Sequence, residues 1–325
     1  MIIDMHIHVW DEGYQPYGYK MGMAKGAAFK KIPFKDPLDV LPKVMSGASD
    51  PDGKLLIQEM DRLGIDAVVA MIVDMGIAFN EQQDTPIEEV INQHARLIAQ
   101  YPNRFFAFFG MDPRREGHLQ LFNDAITNKG FSGLKLYPPC GFAPDDEICF
   151  DYYKKCIEFD VPVLFHTANT FPPLDPGLSH PSKLSAVSRL FPELKVIYGH
   201  VGRPFWWQDI LHISESNPNA YLELSGWNHV AANDPKKFAN ILREMIDTVG
   251  AHRILMGSDF AAGPKTVGER NRLPAWLDYL KNLPLHAEEY NTQFTNEEIE
   301  LIMGENAKKL LNYNEKLNII EKEII

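Results

Sequence analysis

Residues 2–10 read IIDMHIHVW, with two histidines, His6 and His8, one residue apart in an otherwise apolar run. Side chains alternate across a β-strand, so positions i and i+2 share a face; both imidazoles converge on one side, with Asp4 expected beside them. Val or Ile would pack such a strand better. Neutral imidazole is the commonest metal ligand, and two on one face form half of a metal site. A pair of hydrogen-bonded histidines on an edge strand is the alternative, and residues elsewhere in the chain decide between them. No glycine-rich dinucleotide fingerprint follows this strand, which turns the reading away from an open doubly wound sheet.

Working outward, strand-like apolar runs recur near 2–9, 66–73, 104–110, 131–137, 161–166, 194–200, 219–226 and 252–259. Segments with helical periodicity lie between and after them, at 54–63, 86–100, 115–128, 147–159, 182–191, 205–216, 235–248 and 270–282. Alternation of this kind predicts a parallel α/β fold, and eight of each predicts a (β/α)₈ TIM barrel forming one domain over residues 1–312. A further helix near 295–311 packs outside it. Residues 10–53 are a long insertion after the first strand, rich in glycine and proline and carrying Tyr14, Tyr17, Tyr19, Phe29 and Phe34; its length reads as a lid. The tail 313–325 (YNEKLNIIEKEII) is read as a short helix or a disordered end.

Composition narrows the class. Of 325 residues, 45% are hydrophobic and 23% charged, as expected of a globular chain with a sizeable core. A net charge of −12 without a basic patch argues against nucleic-acid and membrane partners. Three cysteines, Cys140, Cys149 and Cys156, are too few and too irregular for a disulfide framework. With no apolar stretch approaching 18 residues and a strand starting at residue 2, the expectation is a cytoplasmic protein.

In such a barrel the chemistry sits at the carboxyl ends of the strands. His166 closes the fifth strand, His200 the sixth, Asp259 follows the eighth in MGSDF, and Lys135 lies near the end of the fourth in GLKLYPP. A lone strand-end histidine more often satisfies a local hydrogen bond. Five ligand-type residues, His6, His8, His166, His200 and Asp259, facing one mouth are harder to explain that way. His94, His118, His212 and His286 fall in helices and His252 at the opposite end, and these read as structural. Arg203 is the best carboxylate clamp, because its planar fork grips two oxygens; a structural salt bridge is the alternative. Tyr137 and Trp227, with Trp206 and Trp207, read as an aromatic pocket lining, with core packing of the WW pair as the alternative.

Taken together, the HxH strand, His166, YGHVG and GSDF resemble the amidohydrolase superfamily. FPELKVIYGHVGRP (191–204) and RILMGSDF (253–260) are similar to its amidohydrolase-related branch, which includes aminocarboxymuconate-semialdehyde decarboxylase. The resemblance implies one divalent metal, zinc with manganese as the alternative, held by His6, His8, His166 and Asp259. His200 would contact bound water or polarise substrate. In two-metal members the fourth-strand lysine is carboxylated; here Lys135 is expected to stay an ammonium that pairs with Asp259 or with a substrate carboxylate. A homodimer would be unsurprising for the family. A metal ion lowers the pKa of water from about 16 to about 7, and Asp259 can take the proton. The expected activity is hydrolysis of a small carboxylated lactone, ester or amide by metal-activated water. The alternative is non-oxidative decarboxylation of an unsaturated or aromatic acid. A non-catalytic binding barrel is remote, because such relatives lose metal ligands and here each is present.

Overall fold

In the computed structural model, which describes residues 1–44 and 46–313, each apolar run becomes a parallel strand. These are β1 (Ile3–His8), β2 (Ala67–Met71), β3 (Phe105–Phe108), β4 (Leu134–Leu136), β5 (Val163–His166), β6 (Val196–Gly199), β7 (Ala220–Glu223), β8 (Ile254–Leu255) and β9 (Phe260–Ala261). Of the run at 252–259 only Ile254–Leu255 is strand, and β9 begins just beyond the run at Phe260. The helices are α1 (Tyr17–Phe29) and α2 (Pro37–Val40) within the insertion, then α3 (Lys54–Leu63), α4 (Ile87–Gln100), α5 (His118–Asn128), α6 (Phe150–Glu158) and α7 (Pro181–Leu190). They continue with α8 (Trp207–Glu215), α9 (Asn228–Asn233), α10 (Pro235–Val249), α11 (Leu273–His286), α12 (Asn296–Glu300) and α13 (Asn306–Leu310). Local signals explain several ends: Asp234 accepts from Lys237 N in front of Pro235 at the start of α10, and Thr295 and Glu298 form a capping box on α12.

Strands pair in the orders β3-β2-β1-β9 and β4-β5-β6-β7-β8. The two sets join into a closed barrel. Met5 N donates to Met256 O at 3.0 Å on one side, and Phe109 bridges Leu134 on the other. Inside, Ile3, Met5, Val69, Phe106, Phe108, Leu164, Ile197 and Leu255 form a buried plug that Leu310 and Leu311 close from below. A larger apolar layer fills the space between strands and helices. Among the described residues no helix is long and apolar enough to cross a membrane.

One irregularity decides what faces inward. Against β2, Ile3 pairs with Ala67 and Asp4 with Val68, but Ile7 pairs with Ala70, so β1 carries one extra residue. Ile3 and Met5 join the interior plug, whereas Ile7 and Val9 join the outer layer. The alternation therefore changes phase, and Asp4 does not stand beside His6 and His8 as expected. It lines the outer layer with Leu56 and Met60, where it accepts from Ser258 N at 3.0 Å and from Ser258 Oγ. Burial pushes its carboxyl up to about 7, against the opposing Ser258 hydrogen bonds.

The insertion leaves from the carboxyl end of β1. Trp10 packs on His8 at 5.3 Å, and Tyr19 of α1 lies between Trp10, Phe79 and Phe171 at 6.4, 6.2 and 5.4 Å. The tail reading falls, beyond Tyr313, outside the described residues.

Candidate metal centre and active site

The hydrogen bonds of the histidines fix which ring nitrogen carries the proton. His6 Nδ1 lies 2.9 Å from Glu223 Oε2, a carboxylate that only accepts, so Nδ1 donates and Nε2 keeps a lone pair. His8 Nδ1 donates to Met71 O at 2.9 Å, which again leaves Nε2 as an acceptor. His200 Nδ1 stands 2.7 Å from Ser225 Oγ, whose own proton goes to Glu223 Oε2 at 2.7 Å. His200 Nε2 is thereby left facing His166 Nδ1 at 3.0 Å. Burial drives the His6 and His166 rings well below their ordinary pKa and His200 to about 3, so all three are neutral at pH 7.

Asp259 completes the cluster. Its Oδ1 is 3.2 Å from His8 Nε2 and 3.8 Å from His6 Nε2, and its side chain is 43% exposed toward the mouth. Burial works to raise its carboxyl, but His8 and the surrounding imidazoles hold it well below the usual carboxylate range. With His8 Nδ1 already donating, two acceptors face each other at 3.2 Å unless a proton or a cation lies between them. Ligand atoms of His6, His8 and Asp259 lie within 4.8 Å of one another, and the buried Nε2 atoms of His6 and His166 have no hydrogen-bond partner among the described residues. The acceptor atoms of His6, His8 and Asp259 form a donor set that fits a divalent metal, and His166 Nε2 is a further free acceptor outside that group. His200 (φ 68°), Val201 (φ 46°) and Asp259 (φ 59°) all sit in the left-handed region, a strain of about 1–3 kcal/mol each that functional sites commonly hold.

Glu223, at the end of β7, was not singled out from the sequence. It can be grouped with His6 and His200 as ligand atoms, yet its oxygens are already filled. Oε1 accepts from Ser225 N at 2.5 Å, and Oε2 from His6 Nδ1, Ser225 Oγ and His200 N. Gly257 makes the room, because a Cβ there would overlap Oε1. The signal in YLELSG was one acid in an apolar strand, legible only once the inward face of β7 is known.

Two cations stand near this cluster without a carboxylate partner among the described residues. Lys135 is buried, and burial lowers its ammonium to about 8 against the opposing fields of Asp259 and Glu223. The ion-pair partners of Asp259 are His6 and His8, so the expected Lys135–Asp259 pair does not form. Arg203 lies over Gly226, whose absent Cβ would sit 2.8 Å from Nε. That Nε is buried and has no partner among the described residues, and burial lowers the guanidinium from its ordinary value while Asp259 opposes the change. The alternative structural salt bridge of Arg203 is absent among the described residues. Tyr137 stacks on His166 at 4.1 Å and donates to Thr170 Oγ1 at 3.3 Å, which orients that ring. Trp227 corrects the sequence reading. It is 2% exposed, packs on Trp207 and Phe238, and donates Nε1 to His200 O at 2.9 Å, so it braces the strand end and does not line a pocket.

The amidohydrolase family profile matches residues 3–313, and the chain belongs to that family. No curated protein matches it. Among solved structures it is similar to an uncharacterised TIM-barrel protein of Bordetella bronchiseptica, at 19% identity over 96% of this chain and 98% of that one, with a TM-score of 0.67. It is similar to 5-carboxyvanillate decarboxylase of Novosphingobium aromaticivorans, complexed with manganese and a nitrobenzoic acid, at 16% identity over 96% of each chain (TM-score 0.63). A probable 2-pyrone-4,6-dicarboxylic acid hydrolase from Acinetobacter baumannii with citric acid bound follows, at 15% identity over 96% of this chain and 99% of that one (TM-score 0.59). At such identities the likeness establishes the shared barrel, while the relatives' chemistry spans hydrolysis and decarboxylation.

Proposed function

We propose that the protein is a metal-dependent hydrolase of a small carboxylated lactone, ester or amide. The observation that supports this best is the pairing, at one mouth, of an un-neutralised donor set with two cations that lack a carboxylate among the described residues. His6, His8, His166 and Asp259 would hold a zinc or manganese ion, which when bound would supply Lewis acidity toward a carbonyl and toward water. Asp259, ionised at rest and open to the mouth, takes the proton of the attacking water and returns it to the leaving group. His200, whose proton sits on Nδ1, accepts at Nε2 from His166 Nδ1; it suits holding the His166 proton away from that ring's Nε2, not donating to an oxyanion. Arg203 and Lys135 receive the substrate carboxylate. Tyr137 keeps His166 in place.

A second reading, non-oxidative decarboxylation, draws on the likeness to 5-carboxyvanillate decarboxylase. It needs an acid to protonate carbon, and a carboxylate ionised at rest fits a base better. The test is metal-replete protein, carrying about one ion per chain by elemental analysis, turned over against lactones, esters, amides and unsaturated or aromatic acids. Acid release without carbon dioxide is expected; carbon dioxide release replaces hydrolysis with the lyase reading.

A further inference from the structure

We propose that Glu223, with Ser225 as its relay, is a positioning residue that sets the tautomers of His6 and His200 together. Through them it would govern metal affinity, a consequence that rests on the metal-centre reading above. Both residues are fully buried, and the carboxylate meets four donors from three different strand ends. The direct bond to His6 Nδ1 at 2.9 Å holds that proton away from Nε2. The link to His200 is indirect. Ser225 has a single hydroxyl proton, and while it is committed to Glu223 the oxygen can only accept from His200 Nδ1 at 2.7 Å. One charge thus leaves His6 Nε2 a free acceptor and makes His200 Nε2 the acceptor for His166 Nδ1 at 3.0 Å, which in turn leaves His166 Nε2 unprotonated and without a partner among the described residues. Neutral replacements cannot do this, because an amide nitrogen at Oε2 would face three donors, and at Oε1 would face the Ser225 N–H.

Glu223→Gln is expected to free the Ser225 hydroxyl to donate toward His200 Nδ1, moving the His200 proton to Nε2. Metal affinity should fall roughly 10–100-fold, the usual effect of removing the group that orients a ligand. Ser225→Ala should separate the two branches. His6 keeps its direct bond and stays protonated at Nδ1, whereas His200 Nδ1 retains only the Ser225 carbonyl at 3.3 Å, set against the His166 Nδ1 contact at its Nε2, and the ring becomes a tautomer mixture.

Long-range ¹H–¹⁵N spectra of the metal-free protein, assigned with His6→Gln and His200→Gln, read both tautomers. Competition with a chromophoric zinc chelator reads affinity. Because the spectra need no metal and no substrate, failure of the metal or hydrolase reading leaves this outcome readable. A folded Glu223→Gln protein with both rings still protonated at Nδ1 overturns the proposal. If that variant does not fold, Ser225→Ala carries the test alone: a His200 tautomer mixture beside an unchanged His6 supports the relay, and an unchanged His200 overturns it.

Discussion

Two places on the carboxyl face of the barrel treat acidic and basic side chains in opposite ways. After β2 and β3, Asp74 and Asp112 are each gripped by an arginine fork. Arg115 reaches Asp74 at 2.5 and 2.8 Å, Arg114 reaches Asp112 at 2.8 and 2.6 Å, and Arg114 also donates to the Cys140 carbonyl. Both carboxylates are buried, and their charges are satisfied where they stand. After β1, β4, β6 and β8 the same residue types are left apart: Asp259 faces imidazole lone pairs, and neither Arg203 nor Lys135 finds a described carboxylate. Residue type does not separate scaffold from site here; completion of the pairing does.

The largest test of that contrast is Asp259→Asn. An amide oxygen can still face the metal beside the histidines, but it cannot take a proton near neutral pH, so metal content should fall only partly while turnover drops by about 10²–10⁴. Near-normal turnover in the metal-loaded variant would move proton transfer to His200. Arg115→Leu probes the paired side. It strands the buried Asp74 charge, and chemical denaturation should show a loss of about 3–5 kcal/mol, with unchanged turnover per folded molecule. A comparable loss of turnover would blur the two regions into one.

A control histidine sharpens the comparison. His94 on α4 is buried with Nδ1 donating to Val90 O at 2.8 Å, and burial lowers it to about 4 against that opposing bond. Since its folded pKa lies below the unfolded value of 6.5, its contribution is complete above pH 6.5 and is lost as pH falls through 4. Urea midpoints compared with His94→Met should show that loss, on the order of 3 kcal/mol, in wild type only. The smallest effect expected is at Arg203. Arg203→Lys keeps the charge and loses the fork, and kcat/KM on a carboxylated substrate should fall roughly tenfold, about the worth of one charged hydrogen bond. Unchanged kinetics would place the clamp elsewhere.

The barrel was legible because each strand is a short apolar run set off by turn residues, and His6, His8, His166, His200 and Asp259 were legible because they end such runs. What escaped depended on registration between distant segments. The outward turn of Asp4 follows from pairing with β2, which period-two counting along β1 cannot reveal. Glu223 gains meaning only beside His6, 217 residues away in sequence. Trp227 reads as a pocket aromatic until its indole is seen bonded to His200 O. The eighth strand stops at Leu255, and Asp259, in a left-handed conformation, stands immediately before β9.

The extra residue in β1 makes the barrel's lower and upper halves independent in parity. In a regular strand Ile3, Met5 and Ile7 would all point inward and the two imidazoles would point into the helical layer. With the slip, the lower half can vary in apolar bulk to suit the plug while the upper half keeps its histidines in step with β5, β6 and the eighth strand. A loop that loses or gains a residue changes only its own path, but a lost residue between Asp4 and His6 would change which atoms of the outer layer hold Ser258, and with it the segment that carries Asp259.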